Sequence, residues 1–297
     1  MDAADPLELD ARGPFRLRAV AVSHGWFQTA PFRWDDGGEG RLDRVEPLDG
    51  HAVTLAIAPR DGGVSVRPSV PLDGAARDLA SACVRRMLQL DADLDGFAEA
   101  AAAVDPGLAG DLAAYGGGRM LAGASLFEDV LKGICGTNTT WRQAVGCINR
   151  IAGLGRDGAF PDPAAVLRAG EDHLRDVGRV GYRAPAITDA ARAAIDGRLA
   201  EIEADSRAGD VDRAFAGLLA LRGIGPSTAG SIILLMGHYD RPSIDSATIR
   251  VAREAWFDGV RPTPTQVAAR IAPAGDFRGL VLAWATLRAW QRDTGLG

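Results

Sequence analysis

The chain has 297 residues, 47% of them hydrophobic, and a net charge of −6. That length supports two domains or three compact lobes. No apolar run reaches the roughly 18 to 20 residues of a membrane helix, and the acidic opening MDAADPLELD resembles neither a secretory signal nor a transit peptide, so a cytoplasmic protein without membrane association is expected. The acidic balance weighs mildly against a nucleic-acid partner, although whole-chain charge does not fix the charge of one surface.

Residues 15–22 (FRLRAVAV) alternate apolar and polar, which predicts a half-buried strand. Turn clusters follow at Asp35-Asp36-Gly37-Gly38 and Asp61-Gly62-Gly63. HAVTLAIAP (51–59) and VSVRPSV (64–70) also read as strands. Residues 1–75 are therefore expected to form a small antiparallel β domain. From residue 76 the apolar spacing becomes helical, with helices predicted at 77–90, 93–103, 126–135, 139–152, 163–169, 185–203, 211–221, 227–238, 246–257, 264–271 and 277–291. The alanine-rich stretch 97–114 fits a helix pair. The expected fold class is α+β, with a mostly helical region over 76–297.

The three cysteines, Cys83, Cys135 and Cys147, are too few and too irregularly spaced for a disulfide framework, a zinc site or an iron–sulfur cluster. Buried structural thiols are expected, and no metal or cofactor. Lys132 is the only lysine.

The most informative segment is 218–250, LLALRGIGPSTAGSIILLMGHYDRPSIDSATIR. One apolar helix stops at Gly223, and Gly223 and Gly225 suit a tight turn. Pro226 stands where a second helix begins, a favoured place for proline. A pair of helices joined by a short glycine turn is predicted over 211–238. The first amides of the second helix lack intrahelical partners and carry the positive end of the helix dipole, so the turn can receive a phosphate without a lysine. Gly223, Ile224, Gly225, Ser227 and Thr228 are the candidate contacts. Such a contact positions DNA and reads no base. An ordinary helical corner can carry the same glycines.

Asp245 follows Gly225 by twenty residues and opens another helix. Asp is a common N-cap, and a capping carboxylate can still face outward. LRGIGPSTAG followed by PSIDSATIR resembles the helix-hairpin-helix DNA glycosylases, in which a hairpin precedes an aspartate facing the flipped nucleotide. The resemblance implies a mostly helical two-lobed helix-hairpin-helix glycosylase core over 76–297, with Asp245 as its catalytic carboxylate. It implies double-stranded DNA containing damaged bases as the partner, and a monomer.

Further segments resemble the 8-oxoguanine branch of that superfamily: FRLRAVAVSHGWFQTAPFRWD, MLQLDADLDGF, LFEDVLKGICGTNTTW and VGYRA. The resemblance implies that Asn138 enters the gap left by a flipped base, that Tyr182 wedges beside the orphaned partner and that Arg183 hydrogen-bonds its edge. These side chains suit the tasks, since a ring replaces lost stacking and polar groups satisfy exposed base edges. Asn138 is equally a candidate helix cap, and Tyr182 and Arg183 fit loop packing and surface charge. Trp290 and Ser231 are candidates for the base pocket, with Trp284 and Trp141 as alternative stacking rings; a helical tryptophan is more often core.

Two departures bear on activity. Bifunctional members carry a lysine at the position of Ser227, and Lys132 lies on a predicted packing helix. A Schiff base needs an amine, so base removal without strand cleavage is expected. Gln143 stands where the 8-oxoguanine enzymes have a second arginine, and Ser246-Ala247 also differs from them. The missing lysine instead resembles the type II 3-methyladenine glycosylases, which favours an alkylated purine as substrate. The alternatives are 8-oxoguanine excision and a non-catalytic damaged-DNA-binding protein.

Overall fold

The structure, a computed structural model, describes residues 5–294. The N-terminal part holds β1 (Leu7–Asp10), α1 (Leu17–Ala21), β2 (Phe32–Asp35), β3 (Arg41–Leu48), β4 (His51–Arg60) and β5 (Gly63–Pro68). Then come α2 (Gly74–Leu88), α3 (Phe97–Val104), α4 (Pro106–Tyr115), α5 (Leu126–Gly136), α6 (Trp141–Ala152), α7 (Pro163–Asp176), α8 (Ala184–Ile195), α9 (Arg198–Arg207) and α10 (Val211–Ala220). The chain continues through α11 (Pro226–Leu235), α12 (Ser246–Trp256), α13 (Pro264–Ile271) and α14 (Arg278–Thr294). This is the α+β class that the sequence predicts. No described helix is long and apolar enough to cross a membrane.

The five strands form one antiparallel sheet in the order β1-β5-β4-β3-β2. Of the three hairpin turns, β2–β3 and β4–β5 fall at the predicted Asp/Gly clusters, and β3–β4 turns at Asp49-Gly50. The strand predicted at 15–22 is instead the short helix α1. Leu17, Val20 and Ala21 are all buried, and their i, i+3, i+4 spacing satisfies a helix as well as the alternation suits a strand. The single helix predicted over 185–203 is two, broken at Gly197 in the left-handed region (φ 96°). The alanine-rich stretch is a helix pair, divided where Asp105 caps α4 and Pro106 takes its first turn.

By contacts the chain divides into two compact units. The first comprises the described residues up to Ala92 with Arg119–Ile224; the second comprises Asp93–Gly118 and the described residues from Gly225 onward. The division therefore does not follow the border expected after residue 75: the sheet shares a unit with α1, α2 and α5–α10.

A charged cluster lies inside the first unit. The inward face of β3 presents Arg44 and Glu46 beside Leu42 and Leu48. Arg44 makes a two-pronged contact with Glu128 of α5, at 3.1 and 2.6 Å, and also pairs with Glu46. Lys132 Nζ sits 2.7 Å from Glu128 and 4.8–5.7 Å from the ring centroids of Phe32, Trp26 and Phe160. A second pair, Arg86 with Asp129, lies alongside at 2.6 Å. Burial alone pushes Glu128 upward, but Arg44 and Lys132 outweigh it and hold the carboxyl well below its usual range. Burial also lowers Lys132, against the pull of Glu128.

Candidate functional site

The glycine turn is built as expected at one glycine and differently at the other. Gly223 has φ 83°, and a Cβ there would lie 2.8 Å from the Ala186 Cβ. Both facts require glycine. Ile224 is buried beside it and donates its amide to the Leu221 carbonyl at 3.2 Å. Gly225 has extended backbone (φ −100°, ψ 176°) open to any residue, and a Cβ there would meet nothing within 4 Å. Gly225 is the N-cap of α11 and Pro226 occupies the first turn; no side chain caps this helix. The amides of Ser227 and Thr228 therefore begin α11 without a side-chain acceptor, an anion-receptive arrangement.

Asp245, in the same unit as α11, is both a cap and an exposed carboxylate. Its Oδ1 accepts the amides of Ala247 and Thr248 at 2.9 and 2.8 Å. The Thr248 hydroxyl in turn accepts the Asp245 amide at 2.7 Å, completing a capping box. Oδ2 receives no hydrogen bond among the described residues. One oxygen thus fixes the carboxylate and the other faces outward.

The segment from α11 to Asp245 has no regular secondary structure after its first turn, so its hold comes from discrete ties. Gly279 donates to the Tyr239 carbonyl at 2.8 Å and Arg278 to the Asp240 carbonyl at 2.7 Å. Nearer the aspartate the ties run to α11. Ser243 Oγ lies 2.9 Å from Ser227 Oγ and accepts a bond from Ser231 Oγ at 3.0 Å. Between those serines the chain passes Gly230, where a Cβ would lie 3.1 Å from both the Pro242 oxygen and the Ser243 Cα. Ser231 is thus placed toward the aspartate segment. Ser243 was not legible as a site residue, because a lone serine in a loop carries no spacing signal.

The first unit brings Asn138, Tyr182 and Arg183 together. Tyr182 is 67% exposed, which makes its ring a poor core residue. Asn138, in the left-handed region (φ 47°), donates to the Tyr182 hydroxyl at 3.3 Å. It does not cap α6; Thr140 does, in a capping box with Gln143. Gln143 is thereby engaged at its carbonyl oxygen. Arg183 is held by backbone carbonyls. Its Nε donates to the Thr137 carbonyl at 3.0 Å, Nη2 bonds the same carbonyl and that of Asn138, and Nη1 reaches the Val180 carbonyl at 3.3 Å. The guanidinium ties two turns together and lies 4.7 Å from the Tyr182 ring centroid.

The tryptophans separate. Trp284 is core: it is buried, donates to the Leu108 carbonyl at 3.2 Å and covers Gly117. Trp141 lies on Gly25 and donates to Gln28 at 2.7 Å. Trp290 is half-buried on α14. Lys132 is 1% exposed within its ion pair. Cys135 and Cys147 are buried, but Cys83 is only half-buried; burial pushes its thiol up to about 11. Among the described residues no group of three or more His, Cys, Asp or Glu is placed to hold a metal ion.

No protein-family model matches the chain, and no curated relative does. Solved structures do. MBOgg1 bound to a low-affinity DNA ligand aligns over 99% of this chain and 100% of its own at 20% identity, with a TM-score of 0.72. The 3-methyladenine DNA glycosylase of Archaeoglobus fulgidus aligns over 98% and 99% at 19% identity, with a TM-score of 0.73. The apo 8-oxoguanine glycosylase/lyase of Clostridium acetobutylicum aligns over 97% and 99% at 18% identity, with a TM-score of 0.69. The chain has the fold these DNA glycosylases share, over 97–99% of its length. At these identities the likeness is one of fold.

Proposed function

We propose that this protein is a monofunctional DNA glycosylase that excises a damaged purine, with an alkylated base as the favoured class. The observation that carries the reading is Asp245: an exposed carboxylate with one oxygen fixed and the other unbonded, on a segment tied to the helix that follows the glycine turn.

In this reading the amides of Ser227 and Thr228 receive a DNA phosphate. Tyr182 and Asn138 fill the space a base leaves on extrusion, which costs a few kcal/mol and least for a weakened pair. The N-glycosidic bond breaks through a cation-like sugar. Asp245 stabilises that charge through Oδ2 and orients the attacking water. Alkylation already makes the base a good leaving group, so a strong general acid is dispensable. Ser227 has no amine to form a Schiff base, and Lys132 is enclosed by Glu128 and three rings.

The test is base release from duplexes carrying 3-methyladenine, 7-methylguanine, hypoxanthine or 8-oxoguanine, scored as strand breaks after alkali. New abasic sites support the reading, and the most reactive duplex identifies the lesion. Binding with no release from any of them overturns it in favour of a damage-binding protein.

A further inference from the structure

We infer that Ser243 is a positioning residue for Asp245, acting as the hub of a three-serine tie that sets the distance between α11 and the carboxylate; the inference rests on the proposed glycosylase reading.

Ser243 stands two residues before Asp245 in backbone that no helix or strand holds. The capping box fixes Asp245 to its own helix, α12, but gives it no reference to α11. The hydroxyl of Ser243 supplies that reference through Ser227 and Ser231, which lie four residues apart on one face of α11. Gly230 lets the two backbones approach closely enough for both bonds to form. A hydroxyl accepts two bonds and donates one, so Ser243 Oγ can hold both partners at once. If Ser231 donates to it and it donates to Ser227, the three form a directed chain in which each bond polarises the next. The same helix offers the uncapped Ser227 and Thr228 amides. The tie therefore couples the phosphate-receiving end of α11 to the carboxylate. A reacting group displaced by about 1 Å loses on the order of 100-fold in rate.

The experiment compares the full-length wild type with Ser243→Ala, Ser227→Ala/Ser231→Ala and the triple variant, using purine-methylated duplex DNA. Single-turnover base release with enzyme in excess is measured beside affinity for the same duplex. Amide exchange at Ala247 and Thr248, whose N–H groups bond Asp245 Oδ1, is followed without DNA. Ser243→Ala should slow release about 10-fold or more, leave affinity within about twofold, and speed exchange at both amides. The serine pair variant should match it, and the triple variant should add nothing, as expected for one coupled unit. Unchanged release and exchange in Ser243→Ala overturn the inference. So do additive losses, or a loss of rate and affinity together, which would place the serines in DNA grip. Should the wild type release no base, the glycosylase reading fails first; accelerated exchange would then still show that Ser243 places the aspartate, and unchanged exchange would remove that too.

Discussion

Arg183 holds the carbonyl of Thr137, with its Nε at 3.0 Å and its Nη2 on the same oxygen. That bond joins the turn carrying Tyr182 to the turn carrying Asn138, and Asn138 closes the arrangement through the Tyr182 hydroxyl. Arg183→Ala should therefore act like Asn138→Ala. Each should slow release of a damaged base from a well-paired duplex by about 10-fold, and by less from a mismatched one, where extrusion is easier. Arg183→Lys should not rescue, because one ammonium cannot reproduce the fork. Single-turnover rates on paired and mismatched duplexes check this. A normal rate in Arg183→Ala beside a slow Asn138→Ala would show the tie to be dispensable.

The two glycines of the turn should respond oppositely. At Gly223, alanine meets both a left-handed backbone and a contact of 2.8 Å with Ala186. Gly223→Ala should lower stability by about 1–3 kcal/mol, seen in thermal unfolding. At Gly225 neither obstacle exists. Gly225→Ala should leave the unfolding midpoint within about a degree of wild type and weaken DNA binding, because its methyl covers the approach to the α11 amides. Unimpaired binding by Gly225→Ala would separate this turn from the phosphate.

How much of this was legible in the sequence follows from where signals are local. β4 and β5 show apolar alternation, and the capping and proline signals of α11, α12 and α4 are written in adjacent residues. β3 escaped because its inward face carries Arg44 and Glu46 between Leu42 and Leu48. Arg44 and Glu46 pair with each other, and Arg44 is held further by Glu128, 84 residues beyond it. α1 resembles a strand in sequence because five residues are too few to separate period 2 from period 3.6. In the candidate site, Asp245 and the glycine turn were visible as spaced types. Ser243 and the carbonyl ties of Arg183 depend on which chain segments meet, and no spacing rule encodes that.

Lys132 should be structural and chemically silent. Sodium borohydride should fail to trap the wild type on damaged DNA, and Lys132→Met should trap no differently. The substitution should nonetheless destabilise strongly, by about 3–5 kcal/mol, because it leaves a negative charge of the Arg44–Glu46–Glu128 cluster uncompensated in the core. Denaturant unfolding reads that loss. Trapping that disappears in Lys132→Met would make this lysine a nucleophile and overturn the assignment.

His24 gives the fold a defined acid sensitivity. Its Nε2 lies 2.7 Å from the Leu121 carbonyl, which can only accept, so the neutral ring donates. Burial lowers its pKa from 6.5 to about 4, the Leu121 bond opposes this, and the charge of Lys132 adds to it. The unfolded chain thus binds a proton that the folded chain refuses between pH 6.5 and 4. Stability is full above the unfolded value and falls as pH drops through that window, by up to about 3 kcal/mol. His24→Gln keeps a donor and cannot titrate. Denaturant midpoints measured from pH 7 to pH 4 should fall less steeply for the variant. Parallel curves would assign the acid sensitivity to other groups.

Asp245 carries two roles that substitution can separate. As an N-cap it needs only an acceptor at Oδ1, where Asn serves about as well as Asp. As the proposed stabiliser of a cationic sugar it needs negative charge, which Asn lacks. Asp245→Asn should therefore leave thermal stability and damaged-duplex affinity near wild type while base release falls by several orders of magnitude. Asp245→Ala should abolish release too, and should also cost about 1 kcal/mol through the lost cap. The ordering of the two variants is the informative outcome. Equal stability for Asn and Ala would deny the cap its weight. Release that survives in Asp245→Asn would show that the outward oxygen does not act by its charge, and would return the carboxylate to a purely structural place at the start of α12.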